Sequence, residues 1–217
     1  MGVLPHRDVF PDAPSPMTDP RPQLSVPPAE EAPAAPRLEP IDDPSSWKTS
    51  LAYALARWQQ GTVITPLKVV WARLPEGLRL AYEMNRLGKH LSLDPEVLLL
   101  VQELVATING CAFCQDIGLA EAPTEDLPRE KLSALLEYET HPAFDAAERA
   151  ALAYAEEATR TVDVADETFD ALRSHYSERK IVEITWLVAQ ENFYNRMNRP
   201  LGIGSDDLCA LPVDDPA

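Results

Sequence analysis

Asp94-Pro95-Glu96-Val97-Leu98-Leu99-Leu100-Val101-Gln102-Glu103-Leu104-Val105-Ala106-Thr107-Ile108 runs directly into Asn109-Gly110-Cys111-Ala112-Phe113-Cys114-Gln115-Asp116. The first part opens with a capping aspartate and a proline at the first helical position, where a missing N–H costs nothing. The helix that follows is apolar nearly all round, which predicts a central place in the core. A second helix is predicted from Phe113 to Glu121, so two thiols at C-x-x-C spacing stand where a helix begins. Thiols so spaced close a small disulfide with little backbone movement. Unpaired N–H groups and the dipole at a helix start favour the thiolate, the reactive form. This placement points to redox chemistry. Two plainer readings compete. Half a zinc site needs a second ligand pair, and Cys209, His6, His90, His141 and His175 supply none at ligand spacing. Two inert cysteines packed in a core are the other.

Working outward, the chain from Ser46 onward is helical throughout. Ser46 caps a predicted helix to Gln60, with Gly61 just past its end. Pro66 opens a short helix to Arg73, and Pro75 opens another that ends at Gly88. A linker bounded by Pro123 and Pro128 precedes a helix from Arg129 to Glu139. Asp145 and Glu148 form a capping box for Ala146 to Arg160. Asp166 caps Glu167 to Tyr176, and Ser177 caps Glu178 to Arg199, which Pro200 stops. No alternating strand pattern of any length occurs. The expected fold class is all-α, a bundle of about seven to nine helices.

Residues 1–45 read as a Pro-rich acidic tail, disordered or locally extended, ahead of a helical domain over 46–217. Twelve of the 21 prolines lie between Pro5 and Pro44. Proline removes donors and fixes φ, and the tail has little apolar surface to bury. It serves as a docking arm or as a plain solvated leader. The chain has 217 residues, 45% hydrophobic, enough for one domain with a real core. Its net charge of −16 repels phosphates and anionic membrane, which argues against nucleic acid and membrane as partners. No apolar run reaches the length of a membrane span. The start of the chain lacks a signal peptide's apolar core. Three cysteines, two of them in C-x-x-C, suit a reducing compartment, and the expected location is the cytoplasm. No cofactor or metal is expected.

The residues from Leu93-Asp94-Pro95-Glu96 through Cys111-Ala112-Phe113-Cys114 resemble the core of the carboxymuconolactone decarboxylase-like family, in its AhpD-like alkylhydroperoxidase branch. Thr65-Pro66-Leu67-Lys68-Val69-Val70-Trp71-Ala72-Arg73 looks like a leader seen in relatives. Glu178-Arg179-Lys180-Ile181-Val182-Glu183-Ile184 and Asn192-Phe193-Tyr194-Asn195-Arg196-Met197-Asn198 look like the last helix. The likeness spans roughly residues 48–208. It implies an all-helical fold that assembles as trimers or hexamers. It also implies thiol-based peroxide reduction, in which Cys114 attacks peroxide and Cys111 resolves it. The resemblance further implies a proton relay of a glutamate and a histidine, whose positions here hold Leu99 and Gly118.

Glu103, one helical turn beyond Leu99, presents a carboxylate on nearly the same face and is the candidate replacement acid. The alternative is a solvated stripe of Glu96, Glu103 and Thr107. Asp116, two residues after Cys114, is the other candidate, or simply stabilises the first turn of its helix. Asn192, Asn195, Arg196 and Arg199 share a face of the last helix, which orients the thiols, meets another subunit or is simply solvated. Trp186, Phe193 and Tyr194 read as packing, and Cys209 as a bystander. The leading expectation is a thiol-dependent peroxidase or disulfide reductase acting on a hydroperoxide, with an external dithiol as reductant and a homo-oligomeric assembly. The alternatives are a cofactor-free decarboxylase of the carboxymuconolactone type and a non-catalytic redox-sensing or interaction protein.

Overall fold

The computed structural model describes residues 35–121 and 128–208. Eight α-helices and no strand occur among them: α1 Trp47–Gln60, α2 Leu78–Gly88, α3 Pro95–Ile108, α4 Ala112–Glu121, α5 Arg129–Ser133, α6 Ala146–Thr161, α7 Asp166–His175 and α8 Glu178–Asn198. The expected all-α class is what the chain adopts. No described helix is long and apolar enough to cross a membrane.

Where the sequence carries complete caps, the helices start as expected. Asp94 accepts the N–H of Glu96 at 2.9 Å and opens α3. Asp145 and Glu148 make both halves of the capping box that opens α6, a device that contributes about 1 kcal/mol. The Ser177 hydroxyl accepts from Lys180 N–H at the start of α8. Gly61 ends α1 in the left-handed conformation. Elsewhere the boundaries move. Pro66 opens only a wide π-type turn, Leu67–Trp71, and Pro75 a 3-10 turn, Pro75–Gly77, before α2. The helix expected from Arg129 to Glu139 stops at Ser133, because Ala134 turns to ψ 16°, and a 3-10 turn, Leu135–Glu137, follows. That break buries Leu135 and Tyr138 in the core. Asp166 is the first residue of α7 rather than its cap. Pro200 does not end the last helix abruptly; it lies inside a 3-10 turn, Arg199–Leu201.

α3 is the central element, packed against α6, α8 and α4. One core cluster gathers around Leu100, Val101 and Leu104 of α3, Leu152 and Ala155 of α6, Leu172 of α7, and Ile184 and Leu187 of α8. A second lies at the other end of α3, with Tyr53 of α1, Val69 and Trp71 of the π-type turn, Ala106, Phe113 and Ile203. The C-x-x-C pair belongs to this second cluster. Residues 35–45, inside the stretch read as tail, run along it. Arg37 N–H donates to Leu201 O, Ile41 N–H donates to Lys68 O, and Arg73 donates to Glu39 O. The rest of that stretch, most of the linker between Pro123 and Pro128, and Cys209 lie outside the described residues.

Candidate active site

The turn between α3 and α4 sets the position of both sulfurs. Gly110 adopts φ +63°, a conformation that side-chain-bearing residues rarely take, and this reverses the chain at the end of α3. Cys111 then donates its N–H to Ala106 O at 2.8 Å and accepts Gln115 N–H at its carbonyl, at the mouth of α4. Cys111 and Cys114 are joined as a disulfide, with Cα atoms 5.3 Å apart. Cys111 is fully enclosed, and Cys114 keeps 5% exposure, so Cys114 is the less enclosed cysteine of the pair.

Two groups on other elements address the pair. Asn198, buried at the end of α8, donates its Nδ2–H to Cys114 Sγ at 3.5 Å. Glu103, 4% exposed, turns inward to α4. Its Oε1 lies in the space that a side chain at Gly118 would fill, one helical turn past Cys114. Residues four apart on a helix are neighbours, with about 5–6 Å between Cβ positions, so this carboxyl shares the Cys114 face of α4. The stripe of Glu96, Glu103 and Thr107 therefore divides. Glu96 pairs with Lys131 at 2.7 Å, the Thr107 hydroxyl accepts from Gln115 at 2.7 Å, and Glu103 is buried.

Burial, then the neighbouring charge of Glu191, push the Glu103 carboxyl up to about 9, so it is protonated at neutral pH. Glu191 itself is raised to about 7 by burial, against a hydrogen bond from Asn195 at 2.6 Å. Asn195 in turn accepts from Asn109 at 2.7 Å, and the same Asn109 amide donates to Asn192 at 3.0 Å. Asn192 also accepts from Arg196. This network ties α8 to the residue that ends α3, two positions before Cys111. Arg199 lies over Gly110 on the same side.

The remaining candidates have other surroundings. Asp116 Oδ2 accepts from Ser205 Oγ at 2.8 Å, Asp206 N–H at 2.9 Å and Leu208 N–H at 3.0 Å, holding the C-terminal segment to α4. His141 accepts Ala143 N–H in the turn before α6, and His175 is exposed at the end of α7. Phe193 and Tyr194 pack edge to face with centroids 5.3 Å apart, and Tyr194 donates to Asn85. No cluster of three or more metal-ligating side chains occurs among the described residues. Glu191 and Asn198 are the site residues that motif reasoning passes over. Their signal is the spacing of Glu191, Asn195 and Asn198, polar groups at i, i+4 and i+7 on a helix face that is buried.

A helical fold centred on an apolar helix, with C-x-x-C opening the next, defines a class. The chain belongs to the carboxymuconolactone decarboxylase family, in its AhpD-like form. The pattern of the Carboxymuconolactone decarboxylase family matches residues 77–157. Among individual proteins, the uncharacterized protein YnjA of Escherichia coli (strain K12) is 32% identical over 166 residues, 73% of this chain and 88% of YnjA. A protein of unknown function from Agrobacterium tumefaciens, described as a putative antioxidant defence protein AhpD, has a crystal structure that superposes with TM-score 0.57. It is 25% identical and covers 61% of this chain and 93% of its own. An uncharacterized peroxidase-related protein from Silicibacter sp. TM1040 has the same fold, with TM-score 0.67 and 22% identity over 80% of this chain and 93% of its own. Membership supports a peroxidase-related or decarboxylase-type role.

Proposed function

We propose that this protein is a thiol-dependent peroxidase that reduces a hydroperoxide at Cys114. In the reduced state Asn198 donates to the Cys114 sulfur and stabilises its thiolate. The thiolate attacks the outer oxygen of the O–O bond, giving a sulfenic acid and an alkoxide. Glu103, protonated at neutral pH, gives its proton to the alkoxide, which leaves as an alcohol. Cys111 thiol then condenses with the sulfenic acid, releasing water and forming the disulfide. An external dithiol restores both thiols by exchange, and Glu103 regains a proton from solvent. Asp116 has an anchoring role in this scheme. The protein works in a reducing compartment, the cytoplasm, as a homo-oligomer.

The observation that carries this reading is the position of Glu103: a buried carboxyl standing where a side chain at position 118 would stand, on the Cys114 face of α4. The test mixes reduced protein with cumene hydroperoxide and counts free thiols with time. Loss of two thiols per chain, abolished by Cys114→Ser, is the expected result. Thiols that stay reduced over hours at neutral pH would reject it. A decarboxylase would keep its activity when both cysteines are changed to serine, which separates that reading.

A further inference from the structure

Arg199 stands just past the end of α8 with its guanidinium laid over the turn that leads into Cys111. Nη2, Cζ and Nε lie 3.5, 3.6 and 3.7 Å from where a Cβ on Gly110 would sit. Three nearly equal distances mean that the planar group lies broadside to the turn. Several other cations among the described residues are engaged. Lys68, Arg86, Lys131, Arg160 and Arg179 each pair with an acid. Arg73 and Arg149 donate to carbonyls. Arg199 is half-buried, and its side chain has no ion-pair or hydrogen-bond partner among the described residues. In a chain of net charge −16, a guanidinium beside a redox pair with no carboxylate partner among the described residues is set apart.

A guanidinium offers five donors in a fork that matches a carboxylate. The closed disulfide is the form of the pair that a reductant, rather than a peroxide, meets. We infer that Arg199 receives the carboxylate of an anionic thiol that reduces the Cys111–Cys114 disulfide. This rests on the peroxidase cycle above and names the chemical class of its reductant. The incoming thiolate forms a bond to Sγ of Cys114, the less enclosed cysteine, and the Cys111–Cys114 bond breaks. Cys111 leaves as a thiolate and takes a proton from solvent. A second thiol of the reductant attacks the reductant sulfur of the mixed disulfide, and Cys114 leaves as a thiolate. The protein gains two electrons, and two reductant thiols are oxidised to one disulfide. The overall negative charge repels anions at long range, so preference for an anionic reductant has to come from a local cation.

The experiment compares 3-mercaptopropionate with 3-mercaptopropionamide at equal thiolate concentration and low salt, on the oxidised full-length protein. The disulfide peptide of residues 109–116 gives the intrinsic ratio of the two rates. The protein is expected to favour the carboxylate over the amide by about fivefold beyond the peptide's ratio, the scale of one partly exposed ion pair. Arg199→Gln is expected to bring the ratio back to that of the peptide, and Arg199→Lys to keep part of the preference. A wild-type ratio equal to the peptide's overturns the inference without any variant being needed, as does an unchanged ratio in Arg199→Gln. If the amide opens the disulfide readily and no preference exists, Arg199 alone is rejected and the peroxidase cycle stands. If neither thiol opens it, both fall.

Discussion

Glu103 Oε1 fills the space beside Gly118 that a side chain at 118 would take. The glycine and the glutamate are therefore one feature: an acid from α3 reaches α4 because α4 offers no Cβ at that point. Gly118→Ala puts a methyl group where that oxygen lies, and the carboxyl has to swing away. Alanine also favours the helix by about 1 kcal/mol, so the fold is expected to survive. Peroxide-driven loss of thiols should slow by about 100-fold, the low end for removal of a general acid, while total thiol content stays unchanged. Stopped-flow oxidation of reduced wild type and Gly118→Ala measures this.

The raised pKa of Glu103 has a consequence for stability. An acid at about 9 in the fold and about 4.5 in the unfolded chain favours the folded state in its protonated form. Between these limits the folded protein binds more protons than the unfolded one. The stabilising contribution is thus fully present below about pH 4.5 and is lost as pH rises through about 9. One such group gives a slope of at most about 1.4 kcal/mol per pH unit. Glu191, raised to about 7, adds to the decline over the lower part of the range. Denaturant titrations of wild type should show stability falling from pH 6 to pH 9, and Glu103→Gln should flatten that fall. Equal slopes in the two proteins would place Glu103 in water.

These two features show where the sequence was readable and where it was not. The helix starts at Asp94, Asp145 and Ser177 could be read because each cap is local: a side chain within three residues satisfies the freed N–H groups. The break at Ala134 could not, because burying Leu135 and Tyr138 overrides helical propensity through contacts distant in sequence. The C-x-x-C pair announces itself by spacing. The direction in which Glu103 faces depends on an empty position fifteen residues later in another helix, which periodicity along α3 cannot register. Asn198 reaches Cys114 across 84 residues for the same kind of reason.

Asn198 should decide how readily Cys114 ionises. A hydrogen bond to a charged group contributes about 1.5–3 kcal/mol, and a leucine of similar size removes it. Reduced Asn198→Leu is expected to react with iodoacetamide at Cys114 about tenfold more slowly than wild type at pH 7, since only the thiolate reacts. Peptide mapping after alkylation assigns the rate to Cys114 rather than Cys111. An unchanged rate would mean that the amide holds the sulfur's position without affecting its charge.

Asp116 stands on α4 and Glu103 reaches α4 from α3, yet their partners divide the two acids into different jobs. Asp116 Oδ2 collects the Ser205 hydroxyl and the Asp206 and Leu208 N–H groups. Asp206 in turn accepts from Thr65 N–H at 2.6 Å, so the segment that Asp116 holds also clasps the entry to the π-type turn, which shares a core cluster with the thiol pair. Removing the carboxylate leaves three donors to find water, at a cost of about 2 kcal/mol in total because the segment is partly exposed. Asp116→Ala is therefore expected to lower the urea midpoint while peroxide oxidation of the folded protein stays within about threefold of wild type, a range far below the loss expected on removing an acid catalyst. Asp116→Asn, which keeps an acceptor oxygen, should recover part of the stability. If oxidation in Asp116→Ala instead slowed as much as in Gly118→Ala with the midpoint unmoved, the proton donor would be Asp116, and Glu103 would be the structural residue.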